Sequence, residues 1–201
     1  FVPNAAGEGL SSYVPQLVRP ALSGSSDWRA EIALGASDGG VKLSSDLRGT
    51  AAAMPAPLGK TADESAPISV LIGEDAGAPR VHVSWPARLD TDVAFSRSGE
   101  VWTATGATLN VGPGAAAHAQ EGLLVTSDAA DLDLPSWIAA LAPALRDMQN
   151  GPLHLRSADL RPGKLSLFDG RYLRDTHVLV QPAERGWKAH LEGAGAEGDL
   201  L

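Results

Sequence analysis

Gly24-Ser25-Ser26-Asp27-Trp28-Arg29-Ala30-Glu31-Ile32-Ala33-Leu34 is the stretch on which the fold turns. Small and polar residues make a turn, and an alternating run follows in which Trp28, Ala30, Ile32 and Leu34 fall on the same parity. Period-2 alternation puts such side chains on one face of a sheet. The device recurs at Ser98-Gly99-Glu100-Val101 before Trp102-Thr103-Ala104, and at Glu184-Arg185-Gly186 before Trp187-Lys188-Ala189-His190-Leu191. Three turn-plus-Trp strands predict a mainly β chain: a meander of antiparallel hairpins with one apolar face, and one or two short α-helices.

Outward from that stretch, the turn Ser37-Asp38-Gly39-Gly40 leads into Val41, Leu43 and Ser45, completing a hairpin. Met54-Pro55-Ala56-Pro57-Leu58-Gly59-Lys60 is too constrained for a helix or a central strand. Further strands are predicted at Ile68–Ile72, Arg80–Trp85, Asp90–Phe95, Val101–Val111 and Gln120–Thr126. Apolar spacing from Leu10 to Leu22 predicts a first helix near 10–20, ended by Pro20. A second is predicted over 135–149, where Trp137, Ile138, Leu141, Ala144, Leu145 and Met148 make an apolar stripe. Pro143 is expected to kink or split it, and Asn150-Gly151-Pro152 to stop it. Strands resume at Leu153–Leu155, Lys164–Phe168, Thr176–Val180 and Trp187–Leu191. Residues 1–201 are thus read as one β segment, with strands over 28–126 and 153–191 around the second helix.

Composition narrows the classes. A net charge of −8 opposes nucleic-acid binding, which needs clustered Lys and Arg. The absence of cysteine excludes disulfides and thiolate metal sites. No run of 18 apolar residues is present, so no segment reads as a membrane span. Aromatic residues are only 5% of the chain, so the core is expected to rest on Ala, Leu and Val, which suits a thin sheet. Phe1-Val2-Pro3-Asn4 does not read as a signal peptide, and Gly198-Asp199-Leu200-Leu201 reads as the start of another strand. The expectation is a slice of a longer protein.

No motif argues for an enzyme. Gly112-Pro113-Gly114-Ala115-Ala116-Ala117 matches G-x-G-x-x-A after a strand, but Gly122 arrives too soon for the required helix, and a hairpin loop is expected instead. Asp128, Asp131 and Asp133 fit no calcium-loop spacing, and acidic residues before a helix favour its N-terminal dipole on their own account. His82, His118, His154, His177 and His190 are scattered singly, without an i, i+4 pair. Gly24-Ser25-Ser26-Asp27 lacks the second glycine of a nucleophile elbow. Catalytic residues, metal ligands and cofactors are therefore all expected to be none.

Four motifs in order carry a resemblance. Ser23-Gly24 and Trp28-Arg29-Ala30 precede Ser44-Ser45-Asp46-Leu47-Arg48-Gly49, similar to an "SdLxG" strand, and Met54-Pro55-Ala56-Pro57-Leu58-Gly59-Lys60, similar to "LPxPLxK" with Met for the first Leu. Asp131-Leu132-Asp133-Leu134-Pro135-Ser136-Trp137 resembles "dLdlxxW", and Gly186-Trp187-Lys188-Ala189-His190-Leu191 with Gly198 resembles "GWxxxL…G". Together they resemble the YhdP branch of the AsmA-like family over nearly the whole chain. The resemblance implies a Gram-negative envelope protein, anchored in the inner membrane, extended across the periplasm and moving phospholipid between the inner and outer membranes along a long, curved antiparallel sheet of hairpins that forms a hydrophobic groove. It implies phospholipid acyl chains as partner and no catalytic residues. Envelope protein partners stay unspecified, and membrane contact is expected only through parts of the full protein outside this chain.

Within that reading, the candidate groove-lining positions are Ile32, Leu34, Val41, Leu43, Val81, Val83, Leu165, Leu167, Leu179 and Leu191. Each is equally suited to pack against the 135–149 helix or a second sheet. Trp28, Trp85, Trp102 and Trp187 suit either a groove rim or the interior of a closed sandwich, while Trp137 is expected to dock its helix onto the sheet. The rival readings are a closed β-sandwich that binds carbohydrate or mediates adhesion, and a scaffold whose apolar face is filled by its own helix.

Overall fold

In a computed structural model, the described residues are 21–33, 40–75, 77–98, 101–148, 153–184, 186–193 and 196–200. The first predicted helix, near 10–20, and Leu34 lie outside them. In chain order the elements are β1 (Leu22–Gly24), β2 (Arg29–Ala33), β3 (Gly40–Ser45), β4 (Thr50–Ala52), β5 (Ile68–Asp75), β6 (Ala78–Trp85), β7 (Leu89–Ser98), β8 (Val101–Val111), β9 (Gly122–Ser127) and β10 (Asp131–Asp133). Helix α1 (Leu134–Met148) follows, then β11 (Leu155–Leu160), β12 (Lys164–Ser166), β13 (Tyr172–Arg174), β14 (His177–Pro182), β15 (Trp187–Gly193) and β16 (Ala196–Leu200).

Eleven of these strands form one sheet, in the order β16-β15-β14-β11-β9-β8-β7-β6-β5-β3-β2. It is open, with β2 and β16 at its edges, and does not close into a barrel. The remaining sheets have two strands (β1-β4) and three (β10-β12-β13), too few to cover a face eleven strands wide. The main-sheet neighbours from β2 to β8 all pair antiparallel; β5 to β8 follow one another with at most three residues between strands, whereas β3 reaches β5 only after the longer segment that carries β4.

Two pairings depart from a simple meander. β8 and β9 run parallel, as do β9 and β11. Gly112–Glu121 is therefore a crossover between parallel neighbours rather than the expected hairpin loop. Parallel neighbours need a connection long enough to return the chain to the end where it started, and a ten-residue strap supplies it here. The second crossover uses β10 and α1. Strand β12 leaves the main sheet altogether, pairing parallel with β10 and antiparallel with β13. Helix α1 runs through Pro143 unsplit. Proline removes one i→i−4 bond, but the carbonyl it strands belongs to the exposed Ala139, where water can replace the lost donor.

One end of the sheet is built up into a core. Ala52, Leu58, Ala66 and Trp85 are buried together, with Leu47, Met54, Ile68, Leu89 and Trp137 packed against them. The proline-rich segment folds back so that Lys60 bridges to Ala52, and Arg88, in the β6–β7 turn, clamps it. The Arg88 guanidinium donates to the carbonyls of Pro57 (2.9 Å) and Gly59 (2.6 Å), pairs with Glu64, and stacks 5.2 Å from the Trp85 ring centre. Trp137 Nε1 donates to the Ala56 carbonyl at 3.0 Å, so α1 docks on the proline-rich segment as well as against the core cluster that includes Trp85 of the sheet.

Lys60 explains why a lysine closes the proline-rich motif. Its side chain is buried, and its ammonium donates to the carbonyls of Leu47 (2.9 Å), Thr61 (2.7 Å) and Thr50. Three donors thus meet three acceptors, and the loop after β3 is tied to the segment that follows it. Lys60→Met keeps the stem but strands the carbonyls, and should lower stability by about 1–3 kcal/mol in urea denaturation. Lys42→Met, on an exposed strand position, should change stability by less than about 0.5 kcal/mol.

Candidate functional site: an uncovered apolar face

Cross-strand register decides which side chains share a face, since partners in a ladder point the same way. One ladder runs Ala30–Leu43–Val70–Val83–Thr91–Leu109–Val125–Ala158–Val180–Ala189, crossing ten strands with a single polar residue. Towards the hairpin tips a second ladder, Ile32–Val41–Ile72–Val81–Val93–Ala107–Leu123, is wholly apolar. The opposite face reads Glu31–Lys42–Leu71–His82–Asp92–Thr108–Leu124. Ten inter-strand steps of about 4.8 Å make the apolar face about 48 Å wide.

Burial along this face is graded. Trp85, Ala107 and Val111 are buried, most of the aliphatic residues between are half-buried, and Ile32 (64%), Ile72 and Trp102 are exposed at the tip side. Helix α1 packs mainly against β10 and β12. It reaches the main sheet's apolar side through Trp137, at the core end. Among the described residues, then, the aliphatic ladders have a floor but no roof.

Of the residues singled out from sequence, Ile32, Val41, Leu43, Val81, Val83 and Leu191 stand on this face, Leu191 as partner of Val178. Leu179 stands on the other side, opposite Asp159 and His190. Leu165 is not in the main sheet: at 2% exposure it fills the core of the three-stranded sheet between Leu132 and Leu173. Leu167 follows β12 outside both sheets. Trp102 and Trp187 lie exposed at the hairpin tips, paired with Arg97 and Pro182. Trp28 is also exposed, whereas Trp85 belongs to the core.

The polar face is the side of the sheet least legible from sequence. The Gly112–Glu121 strap lies across it and buries Asp90, Asp92, Thr108 and Asn110. Asp90 and Asp92 are two apart on β7, so both carboxylates point to the strap. Asp90 Oδ1 accepts from Ala116 N (2.9 Å) and Asp92 Oδ2 from Ala119 N (2.7 Å). Arg80 pairs with Asp92 and donates to the Ala119 carbonyl at 3.1 Å. Asn110 donates to the Gly114 carbonyl (2.8 Å), and Asp128 accepts from Gly114 N (3.2 Å). A Cβ on Gly106 would fall 1.8 Å from the Gln120 carbonyl oxygen, so only glycine lets the strap lie this close. The readable signal was length: ten residues are too many for a tight hairpin.

The remaining candidates for chemistry are engaged structurally. Asp133 accepts from the backbone N and the hydroxyl of Ser136 at the start of α1, and Asp131 pairs with Lys164 at 3.1 Å. His177 lies 3.0 Å from Asp159, and His82 3.5 Å from Asp90. Among the described residues no group of three His, Cys, Asp or Glu side chains is placed to hold a metal ion, and no helix is long and apolar enough to cross a membrane.

Comparison with known proteins gives one finding. A family model described as "YhdP protein" matches residues 4–201. Neither a curated protein nor a solved structure matches.

Proposed function

Because the chain belongs to the YhdP protein family, an AsmA-like family of the cell envelope, we propose that it is a periplasmic segment of a conduit that carries phospholipid between the inner and outer membranes and so supports the outer-membrane barrier. The single observation that carries this reading is the ladder from Ala30 to Ala189, apolar across ten strands but for Thr91 and without a covering layer among the described residues. A soluble protein does not normally leave a contiguous apolar strip of this width to water, and such a strip marks a binding surface.

Acyl chains fit it on physical grounds. Burying a chain contributes about 0.8 kcal/mol per CH₂, so a chain of about sixteen carbons gains on the order of 12 kcal/mol. The attraction is non-directional, so displacement along the strip meets no sequence of discrete bonds to break. Headgroups would stay at the tip side, where Trp102 and Trp187 are exposed, and an indole there offers an apolar face and a donor edge. The role is one of binding and transfer, with no catalytic step.

The test is direct. Chain purified without detergent is expected to release phospholipid on organic extraction, measured by mass spectrometry, and to bind a fluorescent phospholipid. Protein that carries no lipid and leaves the fluorescent probe free would overturn the reading.

A further inference from the structure

The β12–β13 hairpin gathers cations around exposed aromatic residues. Residues 161–174 hold four cations, Arg161, Lys164, Arg171 and Arg174, against Asp169 alone, in a protein of net charge −8. At its tip, in the turn Phe168–Gly170, Phe168 is 58% exposed, and Tyr172 just beyond is 52% exposed. The Tyr172 ring is flanked by Lys164 at 5.6 Å and Arg174 at 5.4 Å.

The finger is firmly held. Its base is tied by the buried Leu165 and by Lys164 N donating to the Ala130 carbonyl (2.9 Å), and its tip is closed by Leu167 N donating to the Arg171 carbonyl (2.7 Å). A Cβ built on Gly170 meets nothing within 4 Å, so the tip stands clear of the body. Arg161 and Lys164 are engaged by Asp159 and Asp131; Arg171 stands beside the tip and Arg174, the cross-strand partner of Lys164, a short strand's length behind it, both exposed.

We propose that this hairpin seats on the surface of an anionic phospholipid bilayer, with Phe168 entering the boundary between headgroups and acyl chains while Arg171 and Arg174 meet lipid phosphates. An aromatic tip backed by cations on a rigid finger matches a planar interface that is apolar inside and negative outside. A protein partner is a poorer match, because a stable protein interface takes about 800 Å² from each side, more than one hairpin tip offers. The proposal places a membrane contact within this chain, rather than only in parts outside it, and it does not require the apolar sheet face to hold lipid.

Co-sedimentation of the full chain with vesicles of phosphatidylethanolamine and phosphatidylglycerol, against vesicles of phosphatidylcholine alone, tests it. Binding to the anionic vesicles, weakened by added salt, is expected. Arg171→Gln/Arg174→Gln should weaken it on the order of twentyfold, and Phe168→Ser by about tenfold, with unchanged circular dichroism. Wild-type protein that ignores anionic vesicles, or variants that bind as wild type does, would overturn the proposal. So would retention on heparin together with indifference to vesicles, which would mark a polyanion site instead. Lipid co-purifying with the Phe168→Ser variant would leave the conduit reading standing while this contact fails or holds on its own vesicle result.

Discussion

Asp92→Ala is expected to lower the free energy of unfolding by about 3–5 kcal/mol, the range for removing one partner of a buried ion pair. Asp92 is buried on the polar face, where one carboxylate pairs with Arg80, takes the Ala119 amide at 2.7 Å and lies 3.6 Å from His118. Without it the Arg80 guanidinium is left largely desolvated and the strap loses its anchor. Asp75→Ala removes the other carboxylate near Arg80, 3.5 Å from its Nε, but that side chain is 59% exposed, so a loss of no more than about 1 kcal/mol is expected. Urea denaturation should show the midpoint falling with an unchanged slope for Asp92→Ala, and amide exchange should quicken first in residues 112–121. A loss below about 1 kcal/mol would mean that the strap is held by other contacts.

The contrast between these two aspartates also shows what could be read from sequence and what could not. Alternation located the main-sheet strands β2, β3, β5, β6, β7 and β8, but not β4, whose Thr50-Ala51-Ala52 is too short to show a period. It also put Asp90 and Asp92 opposite Thr91 and Val93, but alternation cannot say that a polar face will be covered. Coverage came from the strap, whose role depends on β8 and β9 being parallel, a pairing between segments that no local pattern encodes.

Leu179 illustrates a second limit. In His177-Val178-Leu179-Val180 three apolar residues run together, so parity is undefined, and only the pairing of Val178 with Leu160 and Leu191 assigns Leu179 to the other face. Leu165 illustrates a third. A three-residue strand has too short a pattern to reveal its sheet, and Leu165 reads the same whether it lines an open face or fills a small core. The motif Met54–Lys60, by contrast, was legible as a constrained segment, though not as the lid of the core end, since the acceptors of Lys60 are the carbonyls of Leu47, of Thr50 in β4 and of Thr61.

Val83→Glu separates an open apolar face from a filled one. Val83 is half-buried in the middle of the long ladder, between Val70 and Thr91. If that face is uncovered, the new carboxylate can reach water, ionise and leave the fold intact, with a cost of about 1 kcal/mol for the lost aliphatic contact. A lipid tail lying across β6 would then have to pass a solvated charge. Because stripping water from an unpaired charge is far costlier than burying a methylene is favourable, phospholipid recovered per protein should drop at least about tenfold. Leu43→Glu, its neighbour in the same ladder across β5, should act alike. Val111→Glu is the control, because Val111 is 6% exposed at the core end and a charge there has no route to water. It should unfold the domain, visible as loss of the cooperative thermal transition. If Val83→Glu unfolds the protein as Val111→Glu does, something in the molecule already roofs the ladder, no room is left for an acyl chain, and the conduit reading falls with it.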